Sequence, residues 1–261
     1  MSDTLVVNEV YLSLQGESTF AGLPCVFVRL TACDLRCSYC DTAYAFAEGK
    51  KMSLEQILAK VRDLAAHFNN SVSHSLGNIE HRTSNAEHRT KERLPLVELT
   101  GGEPLLQKNT CPLMKSLCDN GFTVLLETSG AHDLSAVDPR VHRIMDLKCP
   151  GSGEAERNRW ENLRHLKAMD EIKFVISTVE DYEWAKQVIF RHRLDLVCPL
   201  LFSWAHPLTQ EQQCNSLKKL PAGQTPVSRR ELAEKVIADA LPVRFQVQMH
   251  KVIWPPEQRG V

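Results

Sequence analysis

The run TACDLRCSYCDT, residues 31–42, sets Cys33, Cys37 and Cys40 in a C-x3-C-x2-C spacing directly after VFVRL at 26–30. A short, nearly continuous apolar run rich in β-branched residues reads as a strand covered on both faces. Similar runs recur at 96–99 (LVEL), 124–126 (VLL), 143–147 (RIMDL), 172–176 (IKFVI) and 194–201 (LDLVCPLL), with a late one at 243–249 (VRFQVQM). Helical stretches lie between them. Ser53 and Gln56 have capping-box spacing ahead of Ile57, Leu58, Val61, Leu64, Ala65 and Phe68 at helical intervals. Residues 111–118 carry Leu113, Met114 and Leu117 on one face and stop at Asn120-Gly121. Residues 160–169, 182–190 and 229–240 complete the helical set. Strand–helix alternation predicts a parallel α/β architecture, either an open doubly wound sheet or a full or partial barrel; pattern alone does not choose.

Composition narrows the class. The chain has 261 residues, 43% hydrophobic and 24% charged, and a net charge of −1. Those are ordinary globular values, and a chain this long buries a core without a disulfide framework. Near-neutral charge gives no reason to expect a polynucleotide or an anionic membrane surface, and no apolar run is long enough for a membrane span. The first twenty residues, with Asp3, Asn8, Glu9 and Gln15, lack the layout of an export signal, so a cytoplasmic protein is expected. Nine cysteines, an odd number, fit reduced thiols better than a scaffold of bridges. One segment breaks the rhythm: residues 69–93 hold only four apolar side chains, Val72, Leu76, Ile79 and Ala86, and repeat Glu-His-Arg-Thr at 80–83 and 87–90. So polar a stretch reads as a flexible surface insertion rather than a histidine metal site, which leaves one domain over 1–261.

Three thiols so close together act in concert only if their loop folds around a metal centre. Structural zinc takes four protein ligands, and no fourth cysteine or histidine lies nearby. Catalytic zinc with three ligands usually includes histidine, and none precedes His67. A [4Fe–4S] cluster is the better match, because clusters are ordinarily held by four thiolates and three leave one iron open to a small molecule. Zinc, or core thiols spaced so by chance, remain the other readings.

Polar groups follow several of the strand candidates. Thr100-Gly101-Gly102-Glu103-Pro104 gives a turn that allows close backbone approach and an acceptor, Glu103, for a ligand amine. Glu127-Thr128-Ser129-Gly130 and Asp146-Leu147-Lys148 end the next two runs. The carboxyl ends of parallel strands are where such folds place their sites, although each residue alone could equally be a helix cap or a surface group. Upstream, Gln15 can pair with an amide-like ring edge, Glu17 can accept from an amino-substituted ring, and Arg29 can fork onto a carboxylate.

C-x3-C-x2-C after the first strong strand, with GGEP after the second, resembles the radical S-adenosylmethionine (SAM) superfamily. The fuller series SLQGE, FVRL, CDLRCSYCDT, TGGEP, ETSG, DLKCPGSGE and QVQMHK is similar to the 7-carboxy-7-deazaguanine synthases within it. The resemblance implies a partial, modified (β/α) barrel that assembles as a homodimer. It implies a carbon–nitrogen lyase that converts 6-carboxy-5,6,7,8-tetrahydropterin to 7-carboxy-7-deazaguanine with loss of ammonia, in queuosine and 7-deazapurine biosynthesis. Cys33, Cys37 and Cys40 would hold the [4Fe–4S] cluster. Leu14, Gln15, Gly16, Arg29 and Thr100 fall on the family's substrate contacts; Tyr39, Asp41, Gly102, Asp146, Leu147 and Lys148 fall on its SAM contacts. Thr42 matches its Mg2+ ligand, a hydroxyl suited to a hard cation whose other oxygens come from elsewhere. A small pterin, an electron donor such as flavodoxin, and neither direct nucleic acid nor membrane complete the implied partners. The rival enzyme is a glycyl-radical enzyme activating protein, which shares the cysteine loop but needs no SLQGE; a zinc-stabilised binding module is the rival from another class.

Overall fold

The computed structural model describes residues 3–72 and 93–261. Most of the expected insertion, residues 73–92, therefore lies outside the described residues. Nine strands, β1 (Thr4–Leu14), β2 (Pro24–Leu30), β3 (Lys50–Ser53), β4 (Leu96–Gly101), β5 (Val124–Thr128), β6 (His142–Asp146), β7 (Glu171–Ile176), β8 (Leu200–Trp204) and β9 (Arg244–Gln246), form one sheet among the described residues. Its order is β3-β1-β2-β4-β5-β6-β7-β8-β9. From β2 to β9 every neighbour is parallel; β1 runs antiparallel to β2, and β3 antiparallel to β1. The first and last strands do not pair, so the sheet is the expected partial barrel and not a closed one.

Helices α1 (Leu54–Val72), α2 (Thr110–Asp119), α3 (Val179–His192) and α4 (Arg229–Ala238) follow β3, β4, β7 and β8. The Ser53–Gln56 box closes as expected: Gln56 N donates to Ser53 Oγ at 3.1 Å and Ser53 N to Gln56 Oε1 at 2.8 Å. α1 runs to Val72, four residues into the stretch expected as insertion. Gly121, at φ +77°, ends the run after α2.

Three expectations need correction. The helix expected at 160–169 is only a 3-10 turn, Trp160–His165. Asn162 within it is fully buried and spends its amide on the neighbouring loop, donating to Gly130 O and His132 O and accepting from Leu134 N, so the segment is a brace rather than a helix. The strand expected at 194–201 begins only at Leu200, after a 3-10 turn at Leu194–Leu196, because Pro199 has no N–H for the ladder. The late strand narrows to β9, Arg244–Gln246. β1 gave no clear sequence signal, since its register slips between Val7 and Glu9 and breaks the two-residue period.

The same strands serve two interiors. Val26, Val28, Leu30, Val97, Leu99, Val124, Leu126, Ile172, Phe174 and Phe202 point outward into one core with Ile57, Val61, Leu113, Leu117, Tyr182 and Leu232 of the helices. The alternate positions point into the barrel lumen. Its floor is a second, smaller cluster of Phe20, Cys25, Phe27, Leu96, Leu125 and Ile144. Above that floor the lumen turns polar, with Arg29, Glu98, Thr100, Glu127, Asp146 and Lys173 lining a cleft of about 230 Å³. Polar side chains on the inner positions of parallel strands are a departure from the usual apolar run, and they mark where the site lies.

Candidate active site

The cysteine loop leaves β2 and lies across the cleft, with Cys33, Cys37 and Cys40 all lining it. Ser38 N donates to Ser152 O at 3.0 Å and Arg36 N to Glu154 Oε1 at 2.7 Å, so the loop is clamped to the segment that follows β6. The Arg36 guanidinium turns back to Cys33 O and Leu35 O, both at 2.6 Å, and stacks over Phe46 at 4.2 Å. The second glycine of the GGEP turn fits against this loop. A Cβ on Gly102 would stand 2.1 Å from Ala32 O and 2.8 Å from Cys33 Cβ. Gly101 holds φ +143° with Leu30 O 2.2 Å from where a Cβ would be, a backbone only glycine accepts.

Burial pushes the Cys33 and Cys37 thiols up to about 11 and raises Cys40 as well. These are neutral thiols until a metal displaces their protons. Among the described residues no three or more His, Cys, Asp or Glu side chains close on a point for a single metal ion. A cube makes a different demand, because each thiolate binds its own iron at a separate corner. The donor set, three cysteines on one short cleft-facing loop, fits that demand. The cleft also offers two buried polar atoms that no protein group satisfies among the described residues: Tyr39 OH and Asp146 Oδ1. Buried polar atoms ordinarily have partners, so this pair fits a bound polar ligand such as SAM beside the cysteines.

Most of the other expected site residues line the same cleft. Lys148 Nζ pairs with Asp146 Oδ2 at 2.7 Å, both on the cleft wall. Leu147 is fully buried in the outer core, so only its backbone is available to a ligand. Leu14, Gly16 and Thr100 line the cleft, and Thr100 Oγ1 donates to Glu127 Oε2 at 2.9 Å. Gly16 lies against the C-terminal part of the chain: its O accepts Met249 N at 3.0 Å, and a Cβ would stand 2.4 Å from His250 Nδ1. Thr42 precedes a 3-10 turn, Ala43–Phe46, yet its side chain makes no cap hydrogen bond; its hydroxyl meets only Cys40 Sγ, at 3.8 Å. Thr42 therefore does not cap the turn, and its hydroxyl faces the cleft.

Four further side chains already have protein partners. Glu103 is fully buried and accepts from Leu105 N, Thr128 Oγ1, Ser129 N and Ser129 Oγ, so it staples the GGEP and ETSG turns together instead of reaching for a ligand amine. Gln15 donates to Glu98 Oε2 and accepts Glu17 N at 2.9 Å, which engages both ends of its amide. Asp41 pairs with Lys251; burial alone would raise its carboxyl, but the ammonium outweighs it and holds it at about 2. Arg29 gives Nε to Glu9 Oε1 at 2.8 Å and Nη2 to Tyr11 OH at 2.8 Å, leaving its remaining N–H groups to the cleft it lines.

Glu98, Lys173, His250 and Lys251 join the site without having been singled out. Lys173 Nζ bonds Glu127 Oε1 and reaches Glu17 Oε2 at 3.4 Å, while Ser203 Oγ donates to Glu17 Oε1 at 2.5 Å. The usable signal was a charge inside an apolar strand, the Glu of LVEL and the Lys of IKFVI, each at a lumen position. His250 and Lys251 carried no local signal beyond the closing QVQMHK, since a four-residue turn, His250–Ile253, brings them to the cleft across the open edge of the sheet.

Comparison with known proteins agrees with this geometry. Residues 28–150 match the Radical SAM superfamily. The chain is 42% identical over 257 residues to the 7-carboxy-7-deazaguanine synthase of Koribacter versatilis, covering 98% of this chain and 99% of that protein. It is 38% identical over 260 residues to the enzyme of the same name from Chlorobaculum tepidum, covering 98% and 97%. The crystal structure of QueE from Escherichia coli superposes with a TM-score of 0.62 at 21% identity, covering 95% of each chain, a likeness of fold. Near-complete coverage by synthases favours that reading over a glycyl-radical enzyme activating protein. The chain belongs to the 7-carboxy-7-deazaguanine synthase family of the radical SAM superfamily.

Proposed function

We propose that this chain, working as one radical SAM domain, converts 6-carboxy-5,6,7,8-tetrahydropterin to 7-carboxy-7-deazaguanine with loss of ammonia. The observation that carries the proposal is the cysteine loop and a polar lumen facing one cleft, in a chain that shares 42% identity with a synthase over nearly its whole length. Cys33, Cys37 and Cys40 would hold the [4Fe–4S] cluster, and Tyr39, Gly102, Asp146 and Lys148 would surround SAM. When bound, the reduced cluster would supply the electron that cleaves the SAM sulfonium, and SAM the radical that abstracts hydrogen.

The chain's own residues account for the rest. Arg29, fixed by Glu9 and Tyr11, presents its remaining N–H groups to a substrate carboxylate, a charge-assisted contact inside a sheltered cleft. Glu17 and Glu127, held by Lys173 and Ser203, offer acceptors to amino-substituted ring edges. Gln15 serves more as a positioner of Glu98 and Glu17 than as a direct anchor, given that its amide already binds the Glu98 carboxyl and the Glu17 backbone. Glu98 and Lys173, 2% and 3% exposed, lie where bulk water is scarce, which strengthens each polar contact there. Thr42, whose hydroxyl meets only Cys40 Sγ among the described residues, is the group for Mg2+, a cation that usually takes few protein ligands and keeps oxygens from water or substrate. A flavodoxin-type donor and a homodimer belong to the same reading. The exposed apolar side chains Phe190 and Leu196 are consistent with an assembly face, and size-exclusion chromatography with light scattering checks it.

The deciding experiment incubates anaerobically reconstituted, reduced protein with SAM, Mg2+ and the carboxypterin. Mass spectrometry should find 7-carboxy-7-deazaguanine, 5′-deoxyadenosine and ammonia. Absence of the deazapurine while SAM is cleaved would overturn the substrate assignment.

A further inference from the structure

Loss of ammonia moves protons as well as bonds. A nitrogen must gain a proton as its C–N bond breaks, and a ring carbon must give one up as the product becomes aromatic. Two of the carboxyl groups in the lumen, Glu98 on β4 and Glu127 on β5, stand on neighbouring parallel strands, and both line the cleft. Their surroundings differ. Glu127 has a cation and a hydroxyl, Lys173 Nζ on Oε1 and Thr100 Oγ1 on Oε2 at 2.9 Å. Glu98, only 2% exposed, has no cation bound to it; Gln15 Nε2 donates to Oε2, and Oε1 has no partner among the described residues.

The charged and titratable groups facing Glu98 are Glu127, Lys173, Glu17, Arg29 and, more weakly, Tyr11 and Cys25. Both cations among them are already paired, Lys173 with Glu127 and Glu17, Arg29 with Glu9. A second ionised carboxylate here would be desolvated, would have no cation bound to it, and would feel the Glu127 charge. Burial first, then the Glu127 charge, hold Glu98 well above the usual carboxylate range, whereas Lys173 pulls Glu127 below it despite its own burial. Two carboxyls whose environments push them apart are the ordinary makings of an acid and a base.

We propose that Glu98 is the acid that protonates the departing amine, and Glu127 the carboxylate that takes the ring-carbon proton, in the ammonia-releasing half of the reaction. The C–N bond breaks with its electron pair going to nitrogen, which takes the Glu98 Oε1 proton. The C–H pair becomes part of the new ring double bond as that proton passes to Glu127. Ammonia leaves neutral, Glu98 is left as carboxylate and Glu127 as acid, and proton exchange after product release restores both. No oxidant or further reagent is needed. Gln15, fixed on Oε2, is the positioning residue that leaves Oε1 to carry the proton.

The inference rests on the proposed pterin chemistry, and its test separates the two. With C6-deuterated carboxypterin, deuterium in 5′-deoxyadenosine reports radical formation and ammonia reports elimination. In Glu98→Gln, isosteric but without an acidic proton, the ammonia released per deuterium transferred should fall about 100-fold or more, the scale of a lost general acid. Glu98→Asp should recover to within about 10-fold of wild type by the same measure, since an acid is restored. In wild type the ratio should fall as pH rises through the Glu98 titration. A ratio unchanged in Glu98→Gln, or unmoved by pH, would overturn the proposal. If wild type transfers no deuterium at all, the pterin reading fails instead. The protein free of cluster and substrate then still decides the state of Glu98: the infrared difference spectrum of wild type against Glu98→Gln at neutral pH should show a protonated-carboxyl carbonyl band, and its absence overturns the proposal.

Discussion

Replacing Lys173 with methionine should be the most damaging single change in the lumen that leaves the outer core untouched. The Lys173 side chain is 4% exposed and is the shared cation of Glu127 and Glu17. Methionine keeps much of its length and apolar stem but removes the charge, so three carboxyls, Glu17, Glu98 and Glu127, share a space with no cation of their own. Removing one partner of a buried pair costs about 3–5 kcal/mol, because the other is left charged without compensation. For a chain this size that corresponds to a fall in Tm of about 6–20 °C. The effect has a defined pH dependence. In wild type the Glu127 carboxyl lies below its unfolded value, so its stabilisation is complete above that value and is lost only as pH falls toward the folded one. In the variant it should lie above the unfolded value, so the folded state binds the extra proton and stability drops as pH rises through that raised value. The deficit should therefore be small near pH 4 and full near pH 8. Urea melts of cluster-free protein at both pH values measure it, and adding Glu127→Gln to Lys173→Met should recover most of the loss at pH 8. A deficit under about 1 kcal/mol, or one equal at both pH values, would refute the account, since that is what an exposed pair gives.

Further outcomes follow from the site. Substituting Cys33, Cys37 or Cys40 with alanine should remove the iron of anaerobically reconstituted protein and abolish SAM cleavage, whereas Cys118→Ala should keep both; iron assay and 5′-deoxyadenosine yield read this. Gly102→Ala should lower iron retention and activity at least 10-fold, because its methyl would overlap Ala32 O and force the cluster loop outward. Lys251→Met should loosen the C-terminal turn. The Asp41 carboxyl, held at about 2, contributes about 2 kcal/mol that is fully present above its unfolded value and lost as pH falls toward 2, and hydrogen exchange over 248–254 should rise in the variant at neutral pH. Arg29→Ala should raise KM for the carboxypterin about 10-fold or more, with a smaller change in kcat, if the guanidinium binds the carboxylate in ground and transition state alike.

Much of this was legible in the chain. The cysteine loop, GGEP, ETSG and DLK each sit at the carboxyl end of a strand in the order that the sequence presents them, because in a parallel sheet sequence order and spatial order coincide across β2, β4, β5 and β6. What escaped was long-range. Glu103 resembles a ligand-gripping group until Thr128 and Ser129, 25 and 26 residues on, are seen to consume it. Gln15 resembles a ring anchor until Glu98 arrives from β4, two strands across the sheet and 83 residues on. Glu98 and Lys173 were absorbed into apolar strands, since a run covered on both faces hides which face is lined by charge. The 3-10 brace at Trp160–His165 shows the converse: its helical spacing was real, but a buried Asn162 fixed to another loop overrides propensity.

The link between Asp41 and the His250–Ile253 turn carries a temporal consequence. Asp41 and Gln248 are 207 residues apart. At ordinary elongation rates of about 5–20 residues per second, the loop bearing the thiols leaves the ribosome roughly 10–40 s before its counter-ion does. During that interval the Asp41 carboxylate next to Cys40 has no ammonium to meet, and the edge between Gly16 and Met249 stays unlaced. Iron delivery should therefore be a late event in the life of the polypeptide, and nascent chains stalled short of Lys251 should be poor acceptors for it.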